Sequence, residues 1–180
     1  YTTFDNTNYN YEYADMDGNT TFISRGAEIA FSRGMIVVNS AGNEGNSAWH
    51  YISAPADAVS VLSIGAVDAS GVIASFSSYG PTADGRIKPD VSAQGANVYI
   101  INSLGNVAIS NGTSFSSPVI TGVIACLWEA FPSKTNTEIT QLIKESAHLY
   151  NSPTAQEGYG IPNFNAIYES LSNDINDLDG

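Results

Sequence analysis

Asn111-Gly112-Thr113-Ser114-Phe115-Ser116-Ser117-Pro118, followed at once by the apolar run Val119–Phe131, is the stretch on which the reading of this chain turns. A glycine turn leads into a helix, and Ser114 stands at the junction. That placement presents a hydroxyl at the positive end of a helix dipole. Pro118 falls in or beside the first turn, where a missing N–H donor costs little, and Pro132 ends the helix. Val119–Phe131 is apolar nearly all round, which predicts a helix running through the core. Cys126 lies within it, has no second cysteine to pair with, and is predicted to be buried as a small hydrophobe.

Working outward, Met35–Val38 reads as a short, wholly buried strand. It follows a predicted helix from Thr20 or Thr21 to Arg33, with Phe22, Ile23, Ala27, Ala30 and Phe31 at helical spacing and Gly34 as the stop. A wholly apolar strand after a helix points to a parallel sheet covered on both faces. Val59–Val67 reads as a second buried strand, and Val72–Phe76 as a short one. Arg86–Val91 reads as irregular, because Pro89 biases Lys88 away from helix. Asn97–Ile101 and Val107–Ser110 predict a hairpin turning at Leu104-Gly105-Asn106. Beyond Pro132, Thr135 and Glu138 predict a capping box. Ile139, Leu142, Ile143 and Ala147 give the amphipathic helix it opens, and a last helix follows Pro162. The fold class is α/β, a three-layer α/β/α arrangement with a mostly parallel sheet. Residues 1–171 read as one domain portion and 172–180 as an acidic tail or linker.

The 180 residues carry a formal charge of −12. That excess argues against nucleic acid and against an anionic membrane surface as partners. No run is long and pure enough to span a bilayer: Phe115–Phe131 is broken by Ser116, Ser117, Pro118, Thr121 and Gly122. The chain opens in a polar stretch without an initiator Met, as though cut from something larger, and shows no signal peptide. Asp15 and Asp17 before Gly18 are a scrap of a calcium loop without its full ligand pattern, and a solvated turn is the expectation. Val37–Asn46 has no Gly-Lys-Ser/Thr and no G-x-G-x-x-G, which sets aside a phosphate-cradling loop.

Two residues are placed for chemistry. Ser114 opens a helix, and Asn43 lies in the glycine-flanked loop Ser40-Ala41-Gly42-Asn43-Glu44-Gly45 at the carboxyl end of a buried strand. Ligands of open α/β sheets gather at that end. Acyl transfer needs a hydroxyl nucleophile and donors aimed at a developing oxyanion. Asn43 can donate from its side-chain amide and Ser114 from its backbone N–H. Taken singly, each has an ordinary explanation: Ser114 as a helix cap, Asn43 as a turn residue.

Taken together, the segments Ser40–Gly45, Gly80-Pro81, Lys88-Pro89-Asp90-Val91 and Gly112-Thr113-Ser114 with Pro118 resemble the subtilisin-like serine peptidases, in that family's order and at about its spacing. The resemblance covers Phe22 to Tyr168, the C-terminal half of the family's catalytic domain, so the domain here is partial. It implies a serine endopeptidase with Ser114 as nucleophile and Asn43 as the oxyanion side chain. It also implies that Ser40, Ala41, Gly42, Gly112 and Thr113 contact a peptide or protein substrate. An extracellular location follows from the same resemblance. Calcium is possible by resemblance, though no cofactor or metal ligand is identifiable in the sequence.

The family's triad Asp and His motifs have no counterpart before Asn43. They are expected in an upstream segment, without which this chain is expected to be inactive. The two histidines present, His50 and His148, read as a loop residue and as a helix-end cation. His50 as a rearranged base is the minor possibility. Asp57 and Asp90 lack triad context, and Asp90 reads as a turn anchor after Pro89. Trp49, His50, Tyr51 and Ile52 are candidates to line or cover the specificity pocket. The alternative to an enzyme is a relative that keeps the fold as a binding or scaffold module. Sequons at Asn19 and Asn111, the second beside Ser114, suit a bacterial source that does not glycosylate.

Overall fold

The computed structural model describes residues 2–178, and the side chains of residues 2–173. A three-stranded parallel sheet of β1 (Val38–Ser40), β2 (Leu62–Val67) and β3 (Val91–Gln94) is ordered β1-β2-β3. Val38 pairs with Leu62 and Ile64 with Val91. β2 is buried at every position, as a central strand covered on both faces must be. β1 is the sheet edge and is only half-buried. The strand expected at Met35–Val38 therefore sits further on, and Met35 is exposed. The segment Arg86–Val91 expected to be irregular runs one residue into β3, whose four residues begin two positions after Pro89 and are too short a run to show a period. Val72–Phe76 forms no strand and makes one isolated bridge, Val67 to Ile73.

α1 (Phe22–Ser32) begins where Thr21 caps it, accepting from the Ser24 N–H. Its expected apolar face is only partly covered: Phe22 and Ile23 are exposed, Ala27, Ala30 and Phe31 are half-buried, and Ser24 is its one buried residue. Polar bonds seat it instead. Ser24 donates to the buried Asp57 at 2.6 Å, and Glu28 accepts from the Ser60 N–H.

α2 (Thr113–Ala130) lies across all three strands. Ile120, Ile124 and Leu127 form its inner stripe, and Phe131 continues that line. They pack with Leu62, Ile64, Val91 and Ala93 of the sheet and with Ile139, Ile143, Ala147, Ile167 and Leu171. Those last five come from α3 (Asn136–Glu145), the residues just after it, and α4 (Phe164–Leu178). The all-round burial expected of α2 is not found. Pro118, Val119, Thr121, Gly122, Val123, Ala125 and Cys126 are exposed, so Cys126 is a surface thiol and not a core residue. The helix carries apolar groups around its whole circumference, and the described residues cover one side.

The expected capping box opens α3, with Thr135 and Glu138 each accepting from the other's backbone. Asn163 caps α4 by accepting from the Ala166 N–H at 3.0 Å. α4 runs on to Leu178, through most of the segment read as a tail. Residues 179–180 lie outside the described residues. β4 (Val98–Ile101) and β5 (Val107–Ser110) form the expected antiparallel hairpin, which leads straight into the turn before α2.

Beneath the sheet's entry end lies a buried ion cluster. Lys88 and Asp90 are each 2% exposed, with Nζ 2.6 Å from Oδ2. Lys88 also donates to the Val61 carbonyl at 2.5 Å, and Asp90 Oδ2 accepts from the Ser63 N–H. Lys144 of α3 approaches Asp90 Oδ1 at 2.8 Å. Burial raises the Asp90 pKa, but the two ammonium groups outweigh it and hold the carboxyl below its ordinary value. Asp90 is thus the junction of β2, β3 and α3, far more than a turn anchor.

Candidate active site

Helix α2 starts without a side-chain cap of its own, because its N-cap is Gly112. Its first N–H groups therefore need partners from elsewhere or stay free. Asn43 supplies one. Its Oδ1 accepts from the Thr113 N–H at 2.9 Å and from the Thr113 hydroxyl at 3.0 Å. The same hydroxyl accepts from the Gly42 N–H at 3.2 Å. Thr113 thereby ties the loop after β1 to the start of α2 across 70 residues of sequence. An amide whose oxygen takes two donors has its orientation fixed, and the Nδ2 of Asn43 is turned away from Thr113.

Three polar groups meet here without a partner among the described residues: the Asn43 Nδ2, the Ser114 N–H and the Ser114 Oγ. Ser114 is exposed at the second position of α2, and Asn43 is exposed beside it. Two donors and a hydroxyl at a helix N-terminus can hold an oxyanion beside a nucleophile.

The loop that carries Asn43 is braced along its length. Ser78 donates its N–H to the Gly42 carbonyl, and its hydroxyl accepts from the Glu44 N–H at 2.9 Å. The Gly45 N–H donates to the Phe76 carbonyl. Gly42 has φ +115°, and a Cβ there would stand 2.7 Å from the Ser78 Oγ. Both its backbone angle and this close approach require glycine.

The residues expected to contact substrate divide into three groups. Ser40 joins Ser114, Ser117, Pro118, Thr121 and Gly122 around an open groove of about 570 Å³. Ala41 is buried with Ile52 and Ala56, so its side chain serves packing. Gly42, Gly112 and Thr113 set the geometry of Asn43 described above. Of the candidates for a pocket lining, Ile52 is fully buried, and Trp49 donates its indole N–H to the Ile52 carbonyl.

No hydrogen bond joins either histidine to Ser114. His50 Nδ1 lies 2.9 Å from the Gly45 carbonyl. His148 Nδ1 accepts from the Ile161 N–H at 2.9 Å and so ties the residues after α3 to the segment before α4.

The carboxylates are committed as well. Asp17 closes its own turn by accepting from the Asn19 and Thr20 N–H groups and the Thr20 hydroxyl. Slight burial raises its pKa, and these bonds more than reverse that. Asp15 pairs with the Glu12 N–H, and Asp57 with Gly18 and Ser24. Among the described residues no three His, Cys, Asp or Glu side chains converge on a metal position, and no helix is long and apolar enough to cross a membrane.

A parallel α/β sheet crossed by a helix that opens on an unpartnered serine, with an asparagine amide fixed beside it, defines the class. The subtilase family model matches residues 8–161, and the chain belongs to the subtilase family. It is 34% identical over 151 residues to the thermostable alkaline protease of Halalkalibacterium halodurans, a match covering 82% of this chain and 39% of that protein. To the thermophilic serine proteinase of Bacillus sp. strain AK1 it is 33% identical over 152 residues, covering 84% and 35%. The chain thus spans well under half the length of these relatives. Among solved structures, the self-cleaved protease domain of PatA aligns with a TM-score of 0.66 at 23% identity. That alignment covers 83% of this chain and 54% of that one. The MycP3 protease of a type VII secretion system gives a TM-score of 0.65 at 21% identity, covering 83% and 48%. At that identity the likeness is one of fold.

Proposed function

We propose that this chain is the nucleophile-bearing part of a serine endopeptidase domain, completed by an upstream segment that supplies the triad His and Asp. The observation that carries the reading is Asn43 tied through Oδ1 to Thr113, the residue before Ser114, with Asn43 Nδ2, the Ser114 N–H and the Ser114 Oγ unpartnered among the described residues.

In the proposed reaction Ser114 Oγ attacks the carbonyl carbon of a peptide bond and passes its proton to the histidine of the upstream segment. Negative charge collects on the former carbonyl oxygen, and Asn43 Nδ2 and the Ser114 N–H hold it. The C–N bond breaks as the histidine returns the proton to the amine, leaving an ester on Ser114. Water, deprotonated by the same histidine, hydrolyses that ester.

The upstream segment has a place to dock. β1 is an unpaired parallel edge. Beside it the exposed stripe Pro118, Thr121, Gly122 and Ala125 of α2 is small enough for another helix to approach closely. Both features border Ser114. The substrate is a peptide or protein lying over the groove at Ser40, and an extracellular site of action accords with the acidic composition. The test is phosphonylation of Ser114 by a fluorophosphonate, with loss of fluoride, with and without the upstream segment. Labelling only in its presence supports the reading, and absence of labelling with the segment bound overturns it.

A further inference from the structure

His50 closes the loop that begins at Asn43, and it does so in a backbone conformation that costs energy. Its φ is +66°, one of two positive values at non-glycine residues among the described residues. Histidine adopts this region more readily than most residues, but it remains costlier than the usual backbone angles and persists where the surroundings hold it.

The surroundings of His50 do so on several sides. Its ring stacks on Tyr79, centroids 4.0 Å apart and planes 18° from parallel, and meets Tyr51 edge-on at 5.3 Å. Its carbonyl accepts from the Tyr79 N–H. Its Nδ1 is 2.9 Å from the Gly45 carbonyl oxygen. A carbonyl can only accept, so Nδ1 carries the hydrogen and His50 is the donor. This bond spans the turn that starts two residues after Asn43.

We propose that His50 is a positioning residue for Asn43: through the Gly45 carbonyl it holds the oxyanion loop rigid and keeps Asn43 Nδ2 aimed at the reacting carbonyl. The inference rests on the peptidase reading for its catalytic consequence and on the loop geometry alone for its structural one. His50 acts through another residue and is not the base, since its inward nitrogen is spent on Gly45. The loop is otherwise held by Ser78 and Phe76 at its first residues. Beyond these, the Gly45–Trp49 portion is held by the Ser47–Glu44 and Trp49–Ile52 bonds, by Asn46 Nδ2 donating to the Ser75 Oγ at 3.2 Å and by the Tyr51 N–H donating to the Trp49 carbonyl, and His50 adds the side-chain bond that closes the far end of the loop onto Gly45. Sub-ångström freedom at an oxyanion donor is enough to slow the chemical step while leaving substrate affinity unchanged.

Two substitutions separate donor from backbone. Both His50→Gly and His50→Asn accept the positive φ, and only asparagine retains an N–H donor able to reach the Gly45 carbonyl. In the enzyme assembled with its upstream segment, His50→Gly is expected to lower kcat about tenfold with KM within about twofold. His50→Asn is expected to recover most of that loss. A second readout needs no activity: the side-chain amide NMR signal of Asn43, assigned by its disappearance in Asn43→Ala. It is expected to be single in the parent, broadened or shifted in His50→Gly, and restored in His50→Asn. An unchanged amide signal and kcat in His50→Gly would overturn the proposal, as would an asparagine variant no better than glycine. An inactive parent assembly would sink the peptidase reading instead, and the amide signal would still decide the role of His50.

Discussion

Replacing Asp90 by asparagine tests the buried ion cluster that joins the sheet to α3. Both Asp90 and Lys88 are 2% exposed, so no solvent screening softens the change. Asp90 Oδ2 serves Lys88 and the Ser63 N–H, and Oδ1 serves Lys144. Asparagine offers one oxygen, so its NH₂ must face an ammonium or the Ser63 N–H, and Lys88 is left with the Val61 carbonyl as its main partner. Breaking one partner of a buried pair costs about 3–5 kcal/mol, and urea unfolding of the parent and variant at equal slope measures it. The double substitution Lys88→Met with Asp90→Leu removes both charges and is expected to cost less than Asp90→Asn alone. The pH dependence has a definite sign. The Asp90 pKa is lower folded than unfolded. Its contribution is therefore complete above the unfolded value of about 3.9 and is lost as the pH falls through the folded value. That portion of the acid sensitivity should vanish in Asp90→Asn. A variant within about 1 kcal/mol of the parent, with the same acid profile, would refute the assignment of Asp90 as the junction.

Three further outcomes follow from the site and its supports. Asn43→Ala in the assembled enzyme should slow acylation by about 10²–10³, the loss typical of removing one oxyanion donor, subtilisin included, with KM little changed. Thr113→Val keeps the backbone N–H to Asn43 but deletes the hydroxyl that bridges Gly42 and Asn43. A fall in kcat of about tenfold is expected, smaller than for Asn43→Ala, and steady-state kinetics would show the order. Thr135→Ala removes one half of the capping box of α3 and should cost about 1 kcal/mol in thermal or urea unfolding without touching acylation.

The sequence disclosed what is local and hid what depends on distant cover. Thr21, Thr135 and Glu138 cap helices as expected because a cap is set by neighbours three residues away. The positions of Ser114 at a helix start and of Asn43 in the loop after β1 were legible from their glycine-rich turns, although the hydroxyl of Thr113 that locks the two segments together was not. β3 was missed because Pro89 precedes it and four residues cannot display a period. The burial of Lys88 and Asp90 had no signal, since charged residues are ordinarily read as surface. Cys126, Val119 and Val123 were expected inside because α2 is apolar on every side. Apolar composition reports how much of a helix is to be covered, not which chain segment covers it. The same holds for Phe22 and Ile23 of α1.

The most direct test of the account is the intact mass of the purified protein after treatment with a fluorophosphonate, with the modified residue mapped by peptide sequencing. Assembled with a segment that carries the triad His and Asp, the chain is expected to gain one adduct, on Ser114, while the 180 residues alone remain essentially unmodified. An assembled protein that stays unmodified, or that carries its adduct on a residue other than Ser114, would contradict the account.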